Sequence, residues 1–367
     1  MMAETLDPRQ FGVTPDLFRE WRAPRFGNDN PQKLNSKVWE WLVRSRLSGY
    51  ASTQIMNGPS AMVAGPTWSF DRFGQSVTAL ADGRTVYIGG EHEDHYDPDF
   101  YIYNDAVVTH PDGAVDFYCY RKSDFPPTDF HSATLIGEKI VILGSLGYVG
   151  ERDPGTTQLV TLDLRNFEIR KPESSGTSPG WIHSHSAALN EDGKSIILSG
   201  GKVFVGQGQA LRENLDDWKL SLADWRWERL TQRNWTQFEV RREDGTNLHL
   251  LEIRLALWSL TMKQEEQYQD QIARLSEALG TQPDVKRIQD LYRFDGIEHG
   301  EPQKDADEYN LFTFALDGVR VRFTEGLHSL KVVVEGSMSV EKENLIKRGL
   351  LEKVAVLENA PCELEEY

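Results

Sequence analysis

The chain has 367 residues, 39% hydrophobic and 10% aromatic, a composition that describes globular domains with a substantial core and excludes a disordered polymer. Its formal net charge of −17 is distributed as +2 over residues 1–60, −10 over 61–231 and −9 over 232–367. Such a balance repels nucleic-acid phosphates and anionic membrane, so neither is an expected partner, and it steers association toward a basic protein.

No apolar run approaches the roughly 20 residues that span a bilayer. The opening stretch MMAETLDPRQFGV carries acids and proline and does not read as a secretory signal. Cys119 and Cys362 lie far apart, which argues against a disulfide framework and makes a reducing cytoplasm the expected location.

Residues 1–65 predict a helical N-terminal region. Thr14-Pro15-Asp16 places a capping hydroxyl before a proline suited to the first helical position, opening a short helix through Trp21. Asn30-Pro31 repeats the device and predicts a longer helix, with Leu34, Val38, Trp41 and Leu42 on one face and a stop at Gly49. Residues 50–66 read as a loop.

Residues 66–231 contain a threefold echo. FGQSVTALADGRTVYIGGEHED from Phe73, FHSATLIGEKIVILGSLGYV from Phe130 and HSHSAALNEDGKSIILSGGKVF from His183 align on Ser76, Ser132 and Ser186, at spacings of 56 and 54 residues. Each holds a short apolar strand, a turn (Asp82-Gly83, Gly137-Glu138, Asp192-Gly193) and a second apolar strand. That strand ends in Gly89-Gly90, Gly144-Ser145 or Gly200-Gly201. A third strand follows in each unit, and a fourth is carried by Val115–Tyr118, Phe167–Arg170 and Trp225–Leu230. Self-similarity at this period signals units that bury their faces only against neighbours.

A small residue and Ser, two strands, a glycine pair, and a fourth strand with aromatics resemble the kelch repeat. The closest correspondences are Ser76 to Gly90, and Ser186 to Gly201 with Trp225 and Trp227. The second unit departs from the pattern at Gly144-Ser145 and at Phe167. The resemblance implies a mainly β fold in which each unit is a four-stranded blade of a complete or partial β-propeller. Three units are visible, whereas closure usually takes at least four.

Residues 232–367 break the pattern and read as a separate α+β domain. Asp244-Gly245 predicts a hairpin between TQFEVRRE and the apolar stretch LHLLEIRLALWSL. A helix is expected over about Lys263–Leu279, stopped by Gly280, and a short one after Pro283. Asp317-Gly318 predicts a second hairpin, LKVVVEG a further strand, and Ser339 caps a final helix through Glu358.

In a four-stranded meander the loops joining strands two and three lie on the same face as the segments feeding the next unit. That connectivity gathers a candidate partner-binding surface: Glu91, His92, Glu93, Asp94 and His95, then Tyr148, Glu151 and Arg152, then Trp181 and His183. Arg72, Asp129, His131 and His185 are placed nearby by the same argument. The alternative is a metal-dependent enzyme or small-molecule site with zinc or iron on His92, His95 and His183. His92-x-x-His95 lacks the helix that gives HExxH its geometry, however. His131 and His185 occupy the repeat position of Gln75, where kelch units place a polar residue that bonds between blades.

No catalytic constellation is complete. Ser132 beside His131 has no oriented base, and Gly206-Gln207-Gly208 lacks a strand–helix context. Tyr118-Cys119-Tyr120 resembles the cross-linked Cys–Tyr of kelch-type copper oxidases, but further Tyr and His ligands cannot be placed. The sequence therefore predicts a non-enzymatic, cofactor-free cytoplasmic protein whose kelch-like loop face grips another protein. One version is sequestration of a basic partner, as when an immunity protein neutralises a toxin.

Overall fold

The computed structural model describes residues 6–93, 99–209, 211–300, 303–304 (backbone only) and 310–367. The chain divides into two compact units, Met1–Gln232 and Arg233–Tyr367. It is mostly β, in several sheets, with helices in both units.

In the first unit, α1 (Pro15–Trp21) forms as its cap predicts, Thr14 Oγ1 accepting from the Leu17 amide at 3.2 Å. The long helix expected after Pro31 does not form. Gln32–Leu34 is instead a strand that pairs with Val115–Cys119. Helix α2 begins only at Lys37, where the Ser36 hydroxyl accepts from the Trp39 amide, and it ends at Ser45. The supposed loop beyond it holds α3 (Gly49–Ile55), capped by Ser48, and the short α4 (Ala61–Ala64).

Each repeat is an antiparallel sheet of four strands that neighbour one another in chain order. The first comprises Ser76–Ala79, Thr85–Ile88, Asp105–Thr109 and Val115–Cys119, with Gln32–Leu34 added at its outer edge. The second comprises Ser132–Ile136, Lys139–Leu143, Leu159–Asp163 and Ile169–Arg170. The third comprises Ser186–Leu189, Ser195–Ser199, Trp218–Ser221 and Arg226–Arg229, with Ser175–Gly176 added in parallel at its outer edge.

The side-chain alternation of strands explains the layering. Val86, Ile88, Ala106 and Val108 of the first sheet share a core with Ile140, Ile142, Val160 and Leu162 of the second. Val141, Leu143 and Leu159 face the other way, onto Ile196, Leu198, Trp218, Leu220 and Trp227 of the third. The middle sheet is thus buried on both faces, which is why Ile140–Leu143 is an unbroken apolar run. The outer face of the first sheet, with Val107, Phe117 and Cys119, is covered by Trp39, Trp41, Leu42 and Trp68.

Glycines mark the close approaches between sheets. A Cβ on Gly89 would lie 2.2 Å from the Thr128 carbonyl oxygen, and one on Gly144 2.3 Å from that of Ile182. The equivalent Gly200 marks no such approach, since its would-be Cβ has no atom within 4 Å.

The second unit is a six-stranded antiparallel sheet with helices α5 (Leu250–Thr261), α6 (Glu265–Leu279) and α7 (Val340–Glu358). Strands Leu311–Leu316 and Val319–Glu325 form the hairpin expected at Asp317-Gly318. The stretch after Asp244-Gly245 forms α5, not a strand. Thr236–Arg242 pairs instead with Leu330–Glu335 and with the C-terminal strand Cys362–Glu366. Ile253, Leu255 and Leu257 alternate as a strand would, but twelve residues without β-branched enrichment suit a helix better.

Candidate binding face

Loops of the three sheets meet in the first unit. The backbone leads there: Phe73, which feeds the first sheet, exchanges hydrogen bonds with Glu91, and Glu91–His92 pairs with Tyr101–Ile102. At the third repeat Trp181–His183 pairs with Lys202–Phe204 in a small separate sheet that also takes Arg212–Glu213. The second sheet does both jobs at once, as the Leu146 amide donates to the Asp129 carbonyl and the Ser145 amide to that of Ile182. Strand-two loops and feeder segments therefore adjoin, as the connectivity argument requires.

Side chains tie neighbouring loops together. Tyr148 Oη accepts from the Ile102 amide at 3.0 Å, with Phe100 edge-on to its ring at 5.9 Å. The Trp181 indole N–H donates to the Leu146 carbonyl at 3.0 Å, and its ring lies over Gly147. Arg152 donates to the Gly147 carbonyl from Nε and Nη2, with its guanidinium 5.7 Å from the Phe204 ring. Glu151 is exposed and pairs with Lys122.

Two carboxylates give the face its electrostatic character. Asp129 is fully buried: Oδ1 accepts from the Ser145 hydroxyl (3.1 Å) and the Gly147 amide (2.6 Å), while Oδ2 has no hydrogen-bond partner among the described residues. Desolvation raises its pKa above the ordinary carboxylate range. Glu91 is pushed up to about 7, first by burial and then by the charges of Asp129 and Glu93. Near neutral pH Glu91 is therefore partly protonated, and a nearby cation would favour its charged form. Sequence reasoning placed Asp129 nearby without seeing its importance. Its burial depends on Ser145 and Gly147, residues sixteen and eighteen positions on.

The histidines divide. His92 and His183 are largely buried, at 8% and 5% exposure, and do not project from the surface. The His131 imidazole bonds Ser76 Oγ across the first and second sheets at 2.7 Å, and His185 bonds Ser132 Oγ across the second and third at 2.9 Å. Burial pushes their pKa values down to about 3 and about 4, so both are neutral linkers between sheets. Arg72 is likewise internal, ion-paired with Asp105 and stacked 3.4 Å from the Tyr103 ring centroid. Asp94 and His95 lie outside the described residues, and Glu93 is exposed. Among the described residues no group of three or more His, Cys, Asp or Glu side chains is placed to hold a metal ion. Cys119 is sealed beneath the tryptophans that cover the first sheet, and burial pushes its thiol pKa up.

No family model matches this chain, and no curated protein does. Among solved structures it is similar to a fungal alcohol oxidase of the AA5 family in complex with copper, at 12% identity and a TM-score of 0.28. The likeness covers 46% of this chain and 45% of that one, so the chain spans under half of the oxidase. At that score it carries no argument about activity. Among the described residues no helix is long and apolar enough to cross a membrane.

Proposed function

We propose that the three sheets are blades of an open, kelch-like propeller whose loop face binds a basic protein without catalysing a reaction. The observation that carries this reading is the joining of loops from all three sheets into one surface, through Ile102–Tyr148 and Trp181–Leu146. Fixed loops lose little conformational entropy on binding, which favours recognition. Around them sit Glu91 and the exposed Glu93, with the buried Asp129 beneath, and a lysine or arginine of a partner would relieve the mutual repulsion of these carboxylates. Tyr148 and Trp181 are half-buried, so their exposed portions serve as anchors already held in one rotamer.

Affinity capture with the full chain tests the reading. Wild-type protein should enrich a basic partner, and the Glu93→Lys/Glu151→Lys variant should lose it. Capture should also weaken with salt, since rim charges act mainly on association. Equal capture by both proteins rejects this face. Stoichiometric zinc or iron in purified protein, lost on His92→Ala, would replace the reading with a metal site.

A further inference from the structure

The second unit contains an open cleft of about 480 Å³, within the range of small-molecule sites. Its walls are aromatic: Tyr292 lies 5.4 Å from Phe312 and 5.6 Å from Phe314 between ring centroids. Arg254 and Arg293 line it together with the His299 imidazole, and no carboxylate is among the described lining residues. This stands out in a unit whose residues sum to −9.

Arg254 is held in a fixed orientation by a buried network. Its Nε and Nη2 donate to Glu325 at 2.6 and 2.5 Å, and Glu325, fully buried, also accepts from the Tyr292 hydroxyl. The guanidinium is thereby fixed 4.1 Å from the Phe312 ring centroid. Nη1 makes no hydrogen bond to any described residue and remains available as a donor. Arg293 adds a second guanidinium, 77% exposed and only loosely paired with Asp290 at 3.7 Å. A buried carboxylate orienting one guanidinium, a second one only loosely paired, and aromatic rings in the same lining make a site for a planar anion.

We propose that this cleft binds a small aromatic carboxylate, its ring against Tyr292, Phe312 and Phe314 and its carboxylate on Arg254 Nη1 and Arg293. The proposal is independent of the loop face in the first unit. Calorimetric titration of the full chain with 2-naphthoate, 2-naphthylmethanol and inorganic phosphate tests it. Naphthoate should bind saturably, and the neutral alcohol and phosphate at least about tenfold more weakly, because charge-assisted bonds and ring burial are both required. Arg293→Glu, at an exposed position that spares the fold, should weaken naphthoate at least about tenfold. Gln289→Trp should block the cleft sterically, and Glu191→Lys, exposed in the first unit, should leave naphthoate binding unchanged. Absence of naphthoate binding, equal binding of the alcohol or of phosphate, or indifference to Arg293→Glu would each overturn the assignment.

Discussion

The two ends of the three-sheet stack are finished in opposite ways. At the first end the outward face is apolar and is covered by helices, with Trp39 stacked on Trp68 at 4.9 Å and edge-on to Phe117 at 5.6 Å. At the last end the outward positions of the strands include Ser186, Ala188, Ile197, Ser199, Lys219, Ser221 and Glu228. These are exposed or half-buried; Ser195 on the same face is buried, its hydroxyl accepting from Asn190 and donating to Asp192. A repeat stack must terminate somewhere, and a repeat can be closed by a cap or by a polar outer face. This unit uses both, so equivalent positions in its repeats carry different free energies. That difference can be measured.

The largest contrast is between the covering residues. Trp39 is fully buried and donates its indole N–H to the Trp21 carbonyl at 2.8 Å. Trp39→Ala should cost about 3–5 kcal/mol through the cavity it leaves. Ile197→Thr on the polar face should cost about 1 kcal/mol or less, since a β-branched residue is kept in the strand. Urea midpoints that shift equally for both would show that the last face is covered as tightly as the first.

A sharper test uses glycines in the same repeat position and nearly the same backbone conformation. Gly144 has φ +71° and Gly200 φ +62°, so alanine is strained at both, by about 1–2 kcal/mol. Only at Gly144 would the methyl group collide with backbone, 2.3 Å from the Ile182 oxygen. Gly144→Ala should therefore destabilise by about 1–3 kcal/mol more than Gly200→Ala. Equal losses would mean that strain, and not the approach of sheets, explains these glycines.

These contrasts also show which parts of the molecule were readable from its residues. The repeat strands were, because their alternation and the Asp82-Gly83, Gly137-Glu138 and Asp192-Gly193 turns are local signals. Gln32–Leu34 was not, since its strand exists only by pairing with residues more than eighty positions away. The same holds for Cys362–Glu366, an acidic stretch that becomes a strand beside Thr236–Arg242. The loop face followed from connectivity, which brought Tyr148, Trp181 and Glu91 into one region. What sequence could not supply was burial: the sealed Asp129 Oδ2, the raised Glu91 pKa and the inward His92 and His183 all depend on neighbouring loops. The aromatic cleft of the second unit was invisible for the same reason, as Arg254, Tyr292 and Glu325 meet only in three dimensions.

The smallest contrast concerns the histidine–serine links. His185 bonds Ser132, while the equivalent Ser186 at the last end is exposed. Ser132→Ala leaves a buried imidazole nitrogen without its partner and should cost about 1–3 kcal/mol at pH 8, whereas Ser186→Ala should stay within about 0.5 kcal/mol. The same link has a pH signature. The folded-state pKa of His185 is about 4, below the ordinary 6.5, so between these values the unfolded chain binds the proton and the folded chain does not. Its contribution is therefore fully present above pH 6.5 and is lost as pH falls toward 4, by up to about 1.4 kcal/mol per unit. Glu91 acts in the opposite sense between 4.5 and about 7, because its folded pKa is raised. Only the difference between proteins isolates the histidine. His185→Gln keeps a hydrogen-bonding group at the position that Gln75 fills in the first repeat, so it should leave stability near pH 8 almost unchanged and flatten the decline below pH 6.5. A variant whose stability falls as steeply as wild type would show that His185 is not held neutral between the sheets.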